Sequence, residues 1–238
     1  MFFVKSLLIF IFDIMDQYFH QKKIIKILNS LNLPISIFLD VGSHKGLYSD
    51  LFLKSFKIKK GYLFEPQKKI FLYLKKKYKK NKLIKVFNIA ISNKEKMQNI
   101  YINKHDLTSS LKELNYENKY LKLKSKIFQS QVKNMIIKKY KIQTKKLSKI
   151  ITINKINVID LIKIDTEGNE LEVLKGLENQ IKKIKIILIE FRNDNIYLNY
   201  ESSKIKKYLK RKKFILYKKV KFPLTTWEDR IYINNNFN

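Results

Sequence analysis

The chain has 238 residues and a formal charge of +31, with 51 Lys and Arg against 20 Asp and Glu. That length fits one α/β domain with a small insertion, and an apolar share of 45% supplies a core. The absence of Cys excludes disulfide partners, thiol catalysis and Cys-ligated metal. The charge invites a nucleic-acid reading, yet Arg occurs only at Arg192, Arg211 and Arg230, and Ala only at Ala90. The enriched residues, Lys, Ile, Asn, Phe and Tyr, have A/T-rich codons, so a coding bias that scatters Lys over solvated faces accounts for the balance. The field favours anionic partners without identifying them, and nucleic acid is not the expected partner.

Residues Met1 to Phe19 are apolar and aromatic, broken by Lys5, Asp13 and Asp16. Their unbroken part, Leu7 to Phe12, is too short to span a bilayer, and no basic n-region or small-residue cleavage site marks a signal peptide. A packing helix is expected, within a helical segment over 1–34; peripheral membrane contact through that helix is the alternative. The expected location is cytoplasmic, or peripheral to a membrane.

Strands and helices then alternate. Ile37 to Val41 reads as a buried strand, Gly42 to Gly46 as a turn, and Leu47, Tyr48, Leu51 and Phe52 as a helix. Tyr62 to Glu65 is a second strand, with Pro66 set to open the helix of Phe71, Leu74 and Tyr78. Val86 to Ser92 reads as a third strand and Asn99 to Asn103 as a short extra one. The segment 112–149 carries twelve Lys against two Glu, with poor periodicity, and reads as an insertion of a helix or two beside the ligand edge. Val158 to Ile164 is the fourth core strand and Ile186 to Phe191 the fifth. Between them Leu171, Leu174, Leu177, Ile181 and Ile184 recur at helical spacing. A Lys-rich helix over Ser203 to Lys212, strands at Phe214 to Tyr217 and Arg230 to Ile233, and a disordered tail over 234–238 complete the chain. This order indicates a Rossmann-like, doubly wound, mostly parallel seven-stranded sheet with helices on both faces.

The chemistry is expected at the carboxyl ends of the strands. Asp40-Val41-Gly42-Ser43-His44-Lys45-Gly46 offers a glycine turn that admits a ligand closely. It lacks the Gly-Lys-Ser/Thr ending of a phosphate loop. Asp40 and, about 25 residues on, Glu65 place acids at successive strand ends, where a carboxylate can accept both hydroxyls of a ribose. An acidic strand end before a glycine turn suits a cationic nucleoside better than a pyrophosphate. Asp160, Asp165, Glu167, Glu170, Glu172 and Glu178 crowd a second strand end in this otherwise Lys-rich chain.

Five segments occur in the order found in the FkbM-type methyltransferases, which the chain resembles from about Ile37 to Phe191. They are Asp40 to Gly46, Phe64-Glu65-Pro66, Asn88-Ile89-Ala90-Ile91-Ser92, Thr108-Ser109-Ser110-Leu111 and Lys163-Ile164-Asp165-Thr166-Glu167-Gly168 with its continuation to Gly176. Ser43-His44 departs from the Ala-Asn common in the family at that point. The resemblance implies a methyltransferase domain over 35–233, S-adenosylmethionine as donor, and O-methylation of a sugar, glycan or natural-product hydroxyl. Carried over by position, Asp40, Gly42, Ser43, Gly46, Glu65 and Ala90 hold the cofactor. Asp165 and Glu167 line the reaction centre, and His44, Ser109 and Ser110 are candidate acceptor contacts. Asp165 is the first candidate general base and Glu167 the second, with His44 and His105 behind them. Glu167 and Glu170 placed only to favour a helix N-terminus, and Thr166 as an N-cap, are the simpler alternatives. No His/Asp cluster has clear metal-ligand spacing, and no metal is expected. The Lys-rich insertion raises the hypothesis of an anionic acceptor, such as a phosphorylated or uronic sugar. An RNA-modifying enzyme and a non-catalytic domain on the same fold are the competing functions.

Overall fold

The computed structural model describes residues 19–103, 109–127, 136–223 and 225–237. In chain order the elements are α1 (Gln21–Ser30), β1 (Ile37–Val41), α2 (Leu47–Ser55), β2 (Lys60–Phe64), α3 (Lys68–Lys77), β3 (Ile84–Phe87), β4 (Ala90–Ile91) and β5 (Met97–Asn103). There follow α4 (Lys119–Ile127), β6 (Ile136–Lys145), α5 (Leu147–Ile153), β7 (Ile159–Ile164), α6 (Glu170–Gly176), β8 (Ile184–Arg192), α7 (Ser202–Arg211), β9 (Phe214–Lys221) and β10 (Trp227–Asn234).

The apolar runs assemble into one seven-stranded sheet in the order β3-β2-β1-β7-β8-β10-β9. The first five pair in parallel, and β10 runs antiparallel to both β8 and β9. This is the expected Rossmann-like architecture. β7 is buried at every position, as a central parallel strand covered on both faces must be. Alternate residues feed two cores. Leu39, Val41, Ile162, Ile164, Ile187 and Ile189 pack with α5, α6 and α7. Phe38, Leu161, Ile186, Leu188 and Ile231 pack with α1, α2 and α3. Each such side chain stabilises the fold by about 1.5–3 kcal/mol on full burial.

Several expectations change. Residues 86–92 do not form one strand: β3 stays in the main sheet, while β4 joins a separate sheet ordered β4-β6-β5. The break falls at Asn88, whose side-chain amide donates to the carbonyls of Glu65 and Pro66 at 3.0 and 2.9 Å. The 112–149 insertion contains the ten-residue strand β6 besides α4. Its inward Tyr140 and Ile142 meet Ile100 and Ile102 of β5, while Lys139, Lys141 and Gln143 face solvent. The helix expected through Ile184 ends at Gly176; a 3-10 turn covers Glu178–Lys183 and Ile184 starts β8. Of the expected disordered tail, Asn234 instead closes β10 with its side-chain amide on the Ile184 carbonyl at 2.9 Å. Asn235–Phe237 then form a 3-10 turn. The expected packing helix of residues 1–19 lies outside the described residues except for exposed Phe19. Among the described residues no helix is long and apolar enough to cross a membrane.

Asp160 joins the amino end of β7 to the entry of β1. One carboxylate oxygen accepts from Ser36 N, Ser36 Oγ and Ile37 N at 2.8–2.9 Å, and the other meets Lys185 Nζ at 2.7 Å. Asp160→Ala would leave these donors without a partner in a buried corner. It is expected to cost about 2–4 kcal/mol in denaturant unfolding; a loss under about 1 kcal/mol would show that water replaces the carboxylate there.

Candidate active site

Three strand ends meet at the carboxyl edge of the main sheet. β1 stops at Val41, and Gly42 turns the chain with φ +79°. A Cβ at Gly42 would lie 1.8 Å from the Asp165 carbonyl oxygen, so only glycine lets the turn after β1 pack against the end of β7. Asp165 N–H donates to the Val41 carbonyl at 3.0 Å across the same contact. The Phe64 carbonyl at the end of β2 accepts from Gly42 N–H and Ser43 N–H at 3.1 and 3.2 Å. The glycine turn is therefore held between its two neighbouring strands.

These ends wall a cleft of about 690 Å³, counting its open mouth. It brings together Gly42, His44, Glu65, Ala90, Ser109, Ser110, Asp165 and Glu167 from the sequence-derived set. Ile100 of β5 and Leu111 show that the small sheet supplies the outer wall. Among the described residues three carboxylates line the cleft, and no Lys or Arg does. The described Lys side chains of the 112–149 segment thus lie outside the lining. Asp40, Ser43 and Gly46 do not line it either. Asp40 faces the opposite side of the sheet, where it accepts from Ser49 Oγ at 2.6 Å. Ser43 Oγ points to the Phe64 carbonyl at 3.4 Å, and Gly46 starts α2. His105 lies outside the described residues.

Glu65 is 3% exposed. Its Oε1 accepts from Gln67 N–H at 2.8 Å and its Oε2 from His44 N–H at 2.9 Å. Burial pushes its carboxyl up to about 7, despite the pull of those two donors and of Lys163. Asp165, with its side chain 33% exposed, accepts from Lys163 Nζ at 3.0 Å. Burial would raise its pKa, but Lys163 and a hydrogen bond from Glu190 outweigh burial and hold the carboxyl below its ordinary value. Glu190 is pushed well above the usual carboxylate range by burial and by the charges of Asp165 and Glu167. The two shifts run in opposite directions, and both favour the proton on Glu190 over Asp165.

Glu167 sits at φ +52° in the turn after β7. Its Oε2 accepts from Tyr197 OH at 2.6 Å and lies 3.4 Å from Arg192 Nη1. Glu170, not Thr166, ties the turn: its Oε1 accepts from Thr166 N–H, Thr166 Oγ1 and Gly168 N–H at 3.0–3.1 Å. Glu167 and Glu170, for which favouring a helix start was the simpler alternative, thus divide. Glu170 holds backbone donors, while Glu167 is turned toward a side-chain cation. Asp165, Glu167 and Glu190 offer carboxylate oxygens within 4.8 Å of one another. Lys163 and Arg192 already sit against them, Arg192 Nη1 being 3.1 Å from Glu190. Arg192, Tyr197 and Glu190 were not expected from the sequence. One signal pointed to Arg192, its rarity in a Lys-dominated chain; nothing marked Tyr197.

The sheet order and the acid-lined edge define a Rossmann-like methyltransferase fold. Residues 40–216 match the methyltransferase FkbM domain, and the chain belongs to that family. No curated protein sequence matches it. Among solved structures, the FkbM methyltransferase of Methylobacillus flagellatus KT is similar at 15% identity and TM-score 0.52, over 84% of this chain and 43% of that one. This chain thus spans less than half the length of that protein. A SAM-dependent methyltransferase from Aquifex aeolicus is similar at 16% identity and TM-score 0.50, over 93% of both chains. M. capricolum TrmK, solved with S-adenosylhomocysteine, aligns over 91% of this chain and 68% of its own at 12% identity, with TM-score 0.49. At these identities the likeness to the first two establishes the fold alone.

Lys163 is 4% exposed and stands between Asp165 and Asp40, 3.9 Å from the latter, with its ammonium 4.9 Å from the Tyr48 ring centroid. Lys163→Met would leave the buried Asp40 and the partly exposed Asp165 facing each other without the cation between them. It is expected to destabilise by about 3–5 kcal/mol at neutral pH, with partial recovery in acid as Asp40 and Asp165 protonate. Denaturant unfolding across pH 4–8 measures both effects.

Proposed function

We propose that the chain is an S-adenosylmethionine-dependent O-methyltransferase acting on a hydroxyl of a sugar, glycan or natural-product acceptor. The observation that carries this reading is the cleft itself: in a chain of charge +31, the described residues lining this sheet-edge cleft include Glu65, Asp165 and Glu167 and no Lys or Arg. Such a wall favours a cationic ligand over a phosphate. S-adenosylmethionine supplies an activated methyl group on a cationic sulfonium. Glu65 suits its ribose, because each carboxylate oxygen spends one acceptor position on a backbone N–H and retains another. Ser109 Oγ, buried at the cleft without a hydrogen-bond partner among the described residues, has donor and acceptor capacity for an entering ligand.

Asp165 is the proton acceptor in this reading. It is kept ionised by Lys163 at the end of β7, and takes the acceptor's hydroxyl proton as that oxygen receives the methyl group and the sulfonium becomes a neutral thioether. A base in reach of the hydroxyl contributes about 10²–10⁴-fold, and alignment of oxygen and methyl supplies much of the rest. An anionic acceptor would carry its charge to the cleft mouth, since the insertion's described Lys side chains lie outside the lining.

A labelled-methyl transfer screen against glycans, nucleotide sugars and RNA tests the reading. Transfer to a hydroxyl acceptor is expected, and Asp165→Asn should lower kcat by about 10²–10³-fold with S-adenosylhomocysteine affinity changed little. Transfer to RNA alone, or no binding of S-adenosylhomocysteine, would overturn it. Because the Glu65 carboxyl titrates at about 7, its ionised form, which accepts ribose hydroxyls, predominates above that pH. Affinity for S-adenosylhomocysteine should therefore be full above pH 7 and weaken below it, approaching about tenfold per unit. Calorimetry from pH 5.5 to 8 should show this slope in the native chain and a much flatter one in Glu65→Gln.

A further inference from the structure

Glu167 is held from three directions. Its backbone stays in the left-handed region at φ +52°, unusual for a residue with a Cβ. Its carbonyl accepts a hydrogen bond from Ser110 Oγ, which arrives from the covering segment. Its carboxylate meets both Tyr197 OH, at 2.6 Å, and Arg192 Nη1, at 3.4 Å, through the same oxygen, Oε2. Tyr197 has little freedom of its own. It is 2% exposed, and its ring covers Gly168, where a Cβ would come within 2.8 Å of the ring atoms Cγ and Cδ2. The loop carrying Tyr197 is pinned to the insertion by Leu198 N–H on the Glu113 carbonyl at 2.9 Å and Asn115 N–H on the Ile196 carbonyl at 2.8 Å. Arg192 is fixed in turn by Glu190 at 3.1 Å and Asp194 at 3.3 Å. Its guanidinium carbon lies 5.8 Å from the Tyr197 ring centroid.

We propose that Arg192 and Tyr197 are positioning residues that fix the Glu167 carboxylate at the cleft wall, so that Glu167 acts as a stationary negative charge toward the donor's sulfonium while Asp165 takes the proton. This rests on the methyl-transfer reading above. The chemistry of the two donors suits Glu167 to the role of a fixed charge. A phenol O–H and a guanidinium both bind the ionised carboxylate better than the neutral acid, so together they hold it charged and in one place. Among the described residues, the groups facing Glu167 include Asp165 from the end of β7, Glu190 and Arg192 from β8, and Tyr197 from the following loop.

Tyr197→Phe keeps the ring over Gly168 and removes only the hydroxyl, and Arg192→Lys keeps the charge but loses the planar fork. In protein labelled with ¹³C-glutamate, and with Glu167→Gln to assign the signal, the Glu167 carboxyl of Tyr197→Phe should titrate about one pH unit higher than in the native chain. S-adenosylmethionine differs from S-adenosylhomocysteine by the charged methyl sulfonium, so the ratio of their affinities reads the charge at the wall. At a pH midway between the native and variant Glu167 midpoints, that preference for S-adenosylmethionine should fall about threefold in Tyr197→Phe, with S-adenosylhomocysteine affinity held within about twofold. Arg192→Lys should fall between the native chain and Tyr197→Phe, and decides the matter if the Phe variant does not melt cooperatively. A folded Tyr197→Phe with an unchanged Glu167 titration and an unchanged affinity ratio overturns the inference. A native chain that binds neither compound overturns the methyl-transfer reading instead.

Discussion

The cleft depends on how closely two strand ends approach each other. Gly42 lies against the Asp165 carbonyl with no space for a side chain, and the Asp165 amide reaches back to Val41. This contact joins the glycine turn after β1 to the acidic turn after β7, and so fixes where Asp165 and Glu167 stand relative to His44 and Glu65. Any larger residue at 42 would separate the strands or push the turn into the ligand space. The two most informative sequence motifs, 120 residues apart, are two sides of one packing constraint.

Charge at this edge is arranged in layers. On the cleft side the carboxylates of Glu65, Asp165 and Glu167 face the open space. On the far side of β1 and β7, Lys163 stands among Asp40, Asp165 and the Tyr48 ring. A buried pair rarely adds stability over an apolar one, but breaking it is costly. Lys163 therefore matters less as a stabiliser than as the cation that allows Asp165 to remain ionised while only partly solvated. Most other Lys residues are exposed and solvated, and beyond about 8–10 Å their field at the cleft is largely screened by salt. The acid cleft and the basic surface coexist for this reason.

Much of this was legible in the sequence, and the exceptions have physical causes. The five parallel strands of the main sheet were visible as apolar runs, and the ligand edge as acids and glycines at their ends. β6 was hidden because only one of its faces is covered, and the exposed face is Lys-rich in a chain where Lys is everywhere. The split at Asn88 was hidden because β3 and β4 form a continuous apolar run; a side-chain amide bonding two carbonyls, not a change of composition, ends the first strand. Asp40 was read as a ligand contact because it ends a strand, but its parity in β1 places it with Phe38 on the other face. Strand parity would have shown this, since side chains alternate across a sheet. Tyr197 lies in a loop without periodicity, and its role comes from tertiary packing on Gly168.

Arginine is nearly absent from this chain, yet two of its three arginines are buried. Arg192 bridges Glu190, Glu167 and Asp194, and Arg230 binds Glu228 while stacking 4.0 Å from the Phe191 ring centroid. Both sites use the flat, forked shape of the guanidinium, which an ammonium cannot reproduce. A composition that drifts toward lysine thus works as a sieve. Residues that the drift would remove persist where no substitute fits, and in a single sequence such survivors carry the kind of information usually sought by comparing many.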